Sequence, residues 1–125
     1  MNSWEFFPDL SIDQFIDQAL SYGKLIETSL VGSFQNSGRG SKRDIPLPLH
    51  RDGDYSTSYK DKIDYIALYC IRPGPAYTLV EFENKVHQIK LMKSNSIIIN
   101  NKICRHGRSG SVRDRLLLRL WIQKT

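Results

Sequence analysis

Two imidazoles and one carboxylate stand out as a donor set for a single divalent ion. His50 and Asp52 lie two positions apart in Leu47-Pro48-Leu49-His50-Arg51-Asp52-Gly53-Asp54-Tyr55, and His106 follows far downstream in Asn100-Asn101-Lys102-Ile103-Cys104-Arg105-His106-Gly107-Arg108. Such a set can hold one face of an octahedral iron(II) and leave three positions open. Open positions are what oxygen-activating chemistry needs. On an extended segment His50 and Asp52 point to the same face, with Arg51 turned away. Pro46 and Pro48 stiffen the approach, and His106 is expected on a strand lying beside this one. The cysteines lack the thiolate spacing of structural zinc.

A second group of residues bears on an anion. Arg113, Arg115, Leu117, Arg119 and Trp121 alternate with Asp114, Leu116, Leu118, Leu120 and Ile122. In a strand the arginines share one face and the other is almost wholly apolar. Surface arginines are the common outcome of such a pattern. A guanidinium inside a barrel, however, would suit a dicarboxylate, because its fork pairs both carboxylate oxygens. Thr78 could add a hydroxyl donor to the same carboxylate. His87 has no partner at a telling spacing and reads as a surface residue.

The elements that must position these groups are mainly β. Ser11 and Gln14 form a capping-box pattern, and Ile12, Phe15, Ile16, Ala19 and Leu20 fall on one helical face. This predicts a helix over about 11–26, packed outside a sheet. Residues 33–44 shift to Ser, Gly, Asn and basic types, the composition of a mobile loop that is either a lid or a plain connector. From 45 onward the chain reads as strands. Ile63 to Ile71 is apolar on both faces, as in a central strand. Arg72-Pro73-Gly74-Pro75 is a turn. Strands are then predicted at Tyr77–Phe82, Lys85–Leu91, Ser96–Ile99 and Arg113–Gln123. Short strands at this spacing suggest a sandwich or barrel, with a core over 45–123.

At 125 residues the chain reads as a single domain, 1–125. Forty per cent apolar and 25 % charged is an ordinary soluble composition. No apolar run approaches the length needed to cross a bilayer. The start lacks a basic region followed by an apolar core, so no secretory signal is expected. Cys70 and Cys104 do not form a disulfide framework, which points to a reducing cytoplasm. The net charge of +5 allows a nucleic-acid partner, although some arginines are explained more economically by an anionic cosubstrate.

These residues, from about 44 to the C-terminus, resemble the taurine dioxygenase/clavaminate synthase group of 2-oxoglutarate oxygenases. His50 and Asp52 match its His-x-Asp pair, and Asn100-Asn101-Lys102-Ile103 with His106 resembles its second-histidine segment. Thr78 stands where the group keeps a cosubstrate-binding Thr, and Arg115 and Arg119 match its paired arginines. The resemblance implies a double-stranded β-helix, a jelly roll or cupin-like barrel. It implies His50, Asp52 and His106 as ligands of iron(II), with dioxygen and 2-oxoglutarate consumed and succinate and carbon dioxide released. Arg115 and Thr78 would bind the far carboxylate of 2-oxoglutarate. Arg119 would bind either an anionic group of a small, amino-acid-like or carboxylate-bearing substrate, or the cosubstrate itself. Asn101 and Tyr55 could line the site. Asp52, rather than a small residue, implies hydroxylation over halogenation.

The chain departs from that group in two intervals. Thr78 to His106 is short, where members carry an insertion that covers the substrate. An open site is therefore expected, closed by the 33–44 loop, by a second subunit of a homo-oligomer, or by the substrate. His106 to Arg115 is slightly short, which makes Arg113 a rival for the cosubstrate. Three other readings stay open. The Arg113–Arg119 spacing resembles that of nucleic-acid-dealkylating 2-oxoglutarate oxygenases, though their Asn-x-Tyr segment is missing. A cupin-like metal protein and a non-catalytic partner-binding barrel are the others.

Overall fold

The structure, a computed structural model, describes residues 3–32, 47–54, 56, 58–111 and 113–125. Among them the chain runs β1 (Trp4–Phe7), α1 (Ile12–Leu20), β2 (Lys24–Gly32), β3 (Leu47–His50), β4 (Tyr65–Arg72), β5 (Tyr77–Phe82), β6 (Lys85–Ile89), β7 (Ser96–Asn100), β8 (Arg105–Ser109) and β9 (Leu116–Gln123). The fold is mainly β, with two antiparallel sheets ordered β1-β7-β4-β9-β2 and β3-β8-β5-β6. Within these sheets β2 pairs with β9, β3 with β8, β4 with β7 and β5 with β6. The pairs nest around the β5–β6 connection, so strands distant in sequence become neighbours.

The central strands are apolar on both faces because each face meets a different layer. Ile66, Leu68 and Cys70 of β4, Ile97 and Ile99 of β7, and Leu117 and Trp121 of β9 point inward, toward Val80 of β5. The alternate residues Ala67, Tyr69, Ile98, Leu120 and Ile122 point outward and meet Phe15 and Ala19 of α1. Each large side chain removed from water in this way contributes about 1.5–3 kcal/mol. The helix starts with the expected capping box: Gln14 N–H donates to Ser11 Oγ (3.1 Å), and Ser11 N–H to Gln14 Oε1 (2.8 Å).

The helix is shorter than the sequence pattern predicts. It ends at Leu20, and residues 24–32 form β2 along β9 instead of continuing it. Gly23 marks the change, since a Cβ there would lie 2.2 Å from the Gln123 carbonyl oxygen. The sheets thus begin well before residue 45. The last strand starts at Leu116, so Arg113 and Arg115 precede it. The 33–44 loop and Tyr55 lie outside the described residues. No described helix is long and apolar enough to cross a membrane.

Candidate metal centre

The β3–β8 pairing sets His50 directly opposite His106, with ring centroids 4.4 Å apart. Gly107 permits this approach. A Cβ there would lie 2.4 Å from the Leu47 carbonyl oxygen and 3.0 Å from that of Pro48, so any side chain would push β3 off β8. Strand alternation does not align His50 with Asp52, because β3 stops at His50 and Asp52 sits in the turn that follows. Asn101 places it instead. Its side-chain amide donates to the Asp52 carbonyl (2.9 Å) and accepts from the Asp52 N–H (3.1 Å). A further bond to the Ile63 carbonyl (3.0 Å) leaves the buried Asn101 amide well satisfied.

Asp52 then presents its two oxygens to different partners. Oδ1 faces His50 Nε2 at 3.1 Å and His106 Nε2 at 3.5 Å. Oδ2 accepts from the Trp121 indole N–H at 2.8 Å and lies 3.6 Å from Arg119 Nη1. Burial opposes a charged Asp52, but the histidines, Arg119 and the indole outweigh it and hold the carboxyl well below the usual range. His50, Asp52 and His106 offer ligand atoms that all lie within 4.8 Å of one another.

The tautomer of His50 fits a cation at this point. Its Nδ1 is 2.8 Å from the Pro48 carbonyl, which can only accept, so Nδ1 carries the hydrogen. In the neutral ring, Nε2 is therefore a lone pair aimed at a carboxylate oxygen. Two acceptors at 3.1 Å need a proton or a metal ion between them. Burial pulls the His50 pKa down, but the bonds to Asp52 and Pro48 outweigh that and raise it. A backbone carbonyl holding the second imidazole nitrogen is the usual outer support of a metal-ligating histidine. His106 is kept neutral: burial, with the charges of His50 and Arg119, pushes its pKa down to about 4 against the pull of Asp52. Its Nδ1 is buried without a hydrogen-bond partner among the described residues, and Val80 stands opposite it in the β5–β8 register.

No protein-family model matches the chain, and no curated protein matches it.

Beside the histidines a pocket of about 390 Å³, counting its open mouth, runs between the sheets. Thr78, Arg108, Arg115 and Arg119 supply polar groups to its wall, and Leu68 and Leu117 are among its apolar ones. Arg115 is 5 % exposed and donates to Thr78 Oγ1 at 3.1 Å. Burial, and then the charge of Arg108, pull its pKa down to about 10, so it remains a cation at neutral pH. Arg119 donates through Nε to Ser29 (3.1 Å), and its guanidinium carbon stands 4.7 Å from the centroid of the Trp121 ring. Arg113 is exposed in the turn before β9. The Arg113–Arg119 spacing thus does not bring two guanidiniums into the cavity, and Arg113 is no rival to Arg115 there.

The structure brings together His50, Asp52, His106, Thr78, Arg115 and Arg119. Asn101 holds the Asp52 backbone rather than facing the cavity. His87 is exposed, against Trp4 with ring centroids 5.2 Å apart. Sequence reasoning gave no role to Arg108 or Trp121. The signal for each was its spacing, since Arg108 is two residues beyond His106 and Trp121 two beyond Arg119.

Proposed function

We propose that the chain is an iron(II)- and 2-oxoglutarate-dependent dioxygenase that hydroxylates a small carboxylate-bearing or amino-acid-like substrate and releases succinate and carbon dioxide. The observation that carries this reading is the approach of His50 Nε2 and His106 Nε2 to Asp52 Oδ1, at 3.1 and 3.5 Å, beside a cavity lined by the buried Arg115. A double-stranded β-helix is the finer fold reading. Its support is the nested pairing β2–β9, β3–β8, β4–β7 and β5–β6, which is a long hairpin rolled into two four-stranded sheets, with β1 added at one edge.

His50, Asp52 and His106 would hold the iron on one face. When bound, the iron supplies oxygen activation and the oxidising power for both cosubstrate and substrate. The protein's part is placement. Arg115 forms an ion pair with the far carboxylate of 2-oxoglutarate, and Thr78 donates its hydroxyl hydrogen to the same group. Arg119, beside Asp52, takes an anionic group of the substrate. Leu68 and Leu117 give part of the cavity wall an apolar character. His106 is neutral at pH 7, and the Pro48 carbonyl keeps a hydrogen on His50 Nδ1, so deprotonation of His50 frees its Nε2 for the ion.

The test is a screen of amino acids, small acids and peptides for substrate-dependent conversion of 2-oxoglutarate to succinate by iron-loaded protein. Turnover that disappears in Asp52→Ala supports the reading. Failure of every class, together with failure to bind iron(II) or cobalt(II), would leave a non-catalytic barrel.

A further inference from the structure

Asp52 has two oxygens, and only one of them faces the histidines. We infer that Trp121 is a positioning residue, whose indole N–H holds Asp52 Oδ2 so that the carboxylate meets a metal ion through Oδ1 alone. This rests on the metal-centre reading above and deepens it.

The argument starts from what a carboxylate does when nothing restrains it. An aspartate can bind an ion through one oxygen or both, and rotation about its last torsion interconverts these modes. A metal ion held by these residues would need its remaining positions free for 2-oxoglutarate and dioxygen. A bidentate Asp52 would occupy one of them. Trp121 opposes that mode: its Nε1–H donates to Oδ2 at 2.8 Å, from a ring that is 94 % buried, since its exposure is 6 %.

The indole is itself held by two neighbours. Tyr59 packs edge-on at 5.2 Å, and the Arg119 guanidinium lies over the ring at 4.7 Å. Indole nitrogen is a donor only, so it can restrain the carboxylate but cannot compete with it for the ion. Asn101 fixes the Asp52 backbone through two hydrogen bonds. The backbone and the outer oxygen are thus both tied, and Oδ1 faces the two Nε2 atoms.

Removal of the N–H without change of shape separates positioning from packing. Benzothienylalanine at position 121 replaces the N–H by sulfur and keeps the two-ring outline. Trp121→Phe is the simpler companion. Cobalt(II) titration of the metal-free protein, read by its visible d–d bands, reports both affinity and coordination. Loss of an outer-shell partner of a ligand costs about 10- to 100-fold in metal affinity. We expect that loss in the benzothienylalanine protein, with altered bands and an unchanged far-ultraviolet circular dichroism spectrum. In a Trp4→Phe background, where Trp121 is the remaining tryptophan, cobalt(II) should also quench the indole emission. Should Trp121→Phe fail to fold, the isosteric variant still decides. Wild-type affinity and bands in the benzothienylalanine protein would overturn the role of Trp121 and leave the metal centre standing. A wild-type protein that takes up no cobalt(II) would overturn both.

Discussion

Asp52→Ala removes the carboxylate that faces both His50 and His106, and metal affinity and turnover should both be lost, as measured by cobalt(II) titration and succinate release. Arg115 allows a sharper separation. Exchange of its buried guanidinium for the apolar side chain in Arg115→Met should weaken 2-oxoglutarate binding by about 10²-fold, from a buried charge pair worth on the order of 3 kcal/mol. The same change removes a cation whose charged form burial disfavours, so the ligand-free variant should melt no lower than wild type. Calorimetric melts with and without 2-oxoglutarate check both statements. Arg119→Ala should raise the substrate concentration required while leaving the 2-oxoglutarate requirement nearly unchanged. If it weakens only 2-oxoglutarate, the two arginine roles are exchanged or shared. At this scale the candidate ligands were legible, because His-x-Asp, a distal His and alternating arginines are patterns of type and spacing. The anchoring of Asp52 by Asn101 and Trp121 was not, because those contacts cross 49 and 69 residues of sequence.

β8 is the element that joins the two halves of the site, since it pairs with β3 on one side and β5 on the other. Arg105 clamps it to β5 through a forked pair with Glu81, Nε to Oε1 at 2.8 Å and Nη2 to Oε2 at 2.6 Å. On the β3 side the close approach depends on Gly107. Gly107→Ala places a methyl against the Leu47 and Pro48 carbonyls, and β3 must move away with His50. A displacement near 1 Å at a reacting centre costs on the order of 10²-fold in rate, so turnover should fall by that order while α1 stays packed on the opposite sheet. Kinetics alongside near- and far-ultraviolet circular dichroism would show that contrast. Strands with branched residues on both faces, such as β4 and β7, were legible because helix and opposite sheet cover one face each. β2 was not, because the helix expected over about 11–26 runs into it, and only pairing with β9 decides its conformation. The turn that holds Asp52 was hidden for the same reason: tertiary hydrogen bonds, not local propensity, fix it.

For the molecule as a whole, charge and titration give a consistent picture. Arg108, Arg115 and Arg119, three of the 18 lysines and arginines, are buried along the cavity, so the net charge of +5 overstates the basic surface. His106, with a folded pKa of about 4 against about 6.5 for an unperturbed histidine, is neutral in the fold but takes up a proton in the unfolded chain. The stability this contributes is complete above the unfolded value and is lost as pH falls toward 4. Asp52 acts in the same direction at lower pH, since its folded pKa is depressed. His50 has the opposite sign: its raised pKa adds stability to the metal-free protein below about 6.5, and this is lost as pH rises through the folded value. That proton competes with a metal for Nε2. Metal at about 100 times its Kd adds about 2.7 kcal/mol, which for a chain of this size raises Tm by on the order of 10 °C. The rise should be largest near pH 8 and nearly gone by about pH 5, as thermal melts across that range would show. The most direct measurement is anaerobic titration of the protein with iron(II) and 2-oxoglutarate, followed by the visible charge-transfer band of the chelated cosubstrate. A band that needs both components, saturates at one iron per chain and vanishes in His50→Ala, Asp52→Ala and His106→Ala is the result predicted. No band, or an undiminished one in those variants, would contradict the metal centre and the oxygenase reading with it.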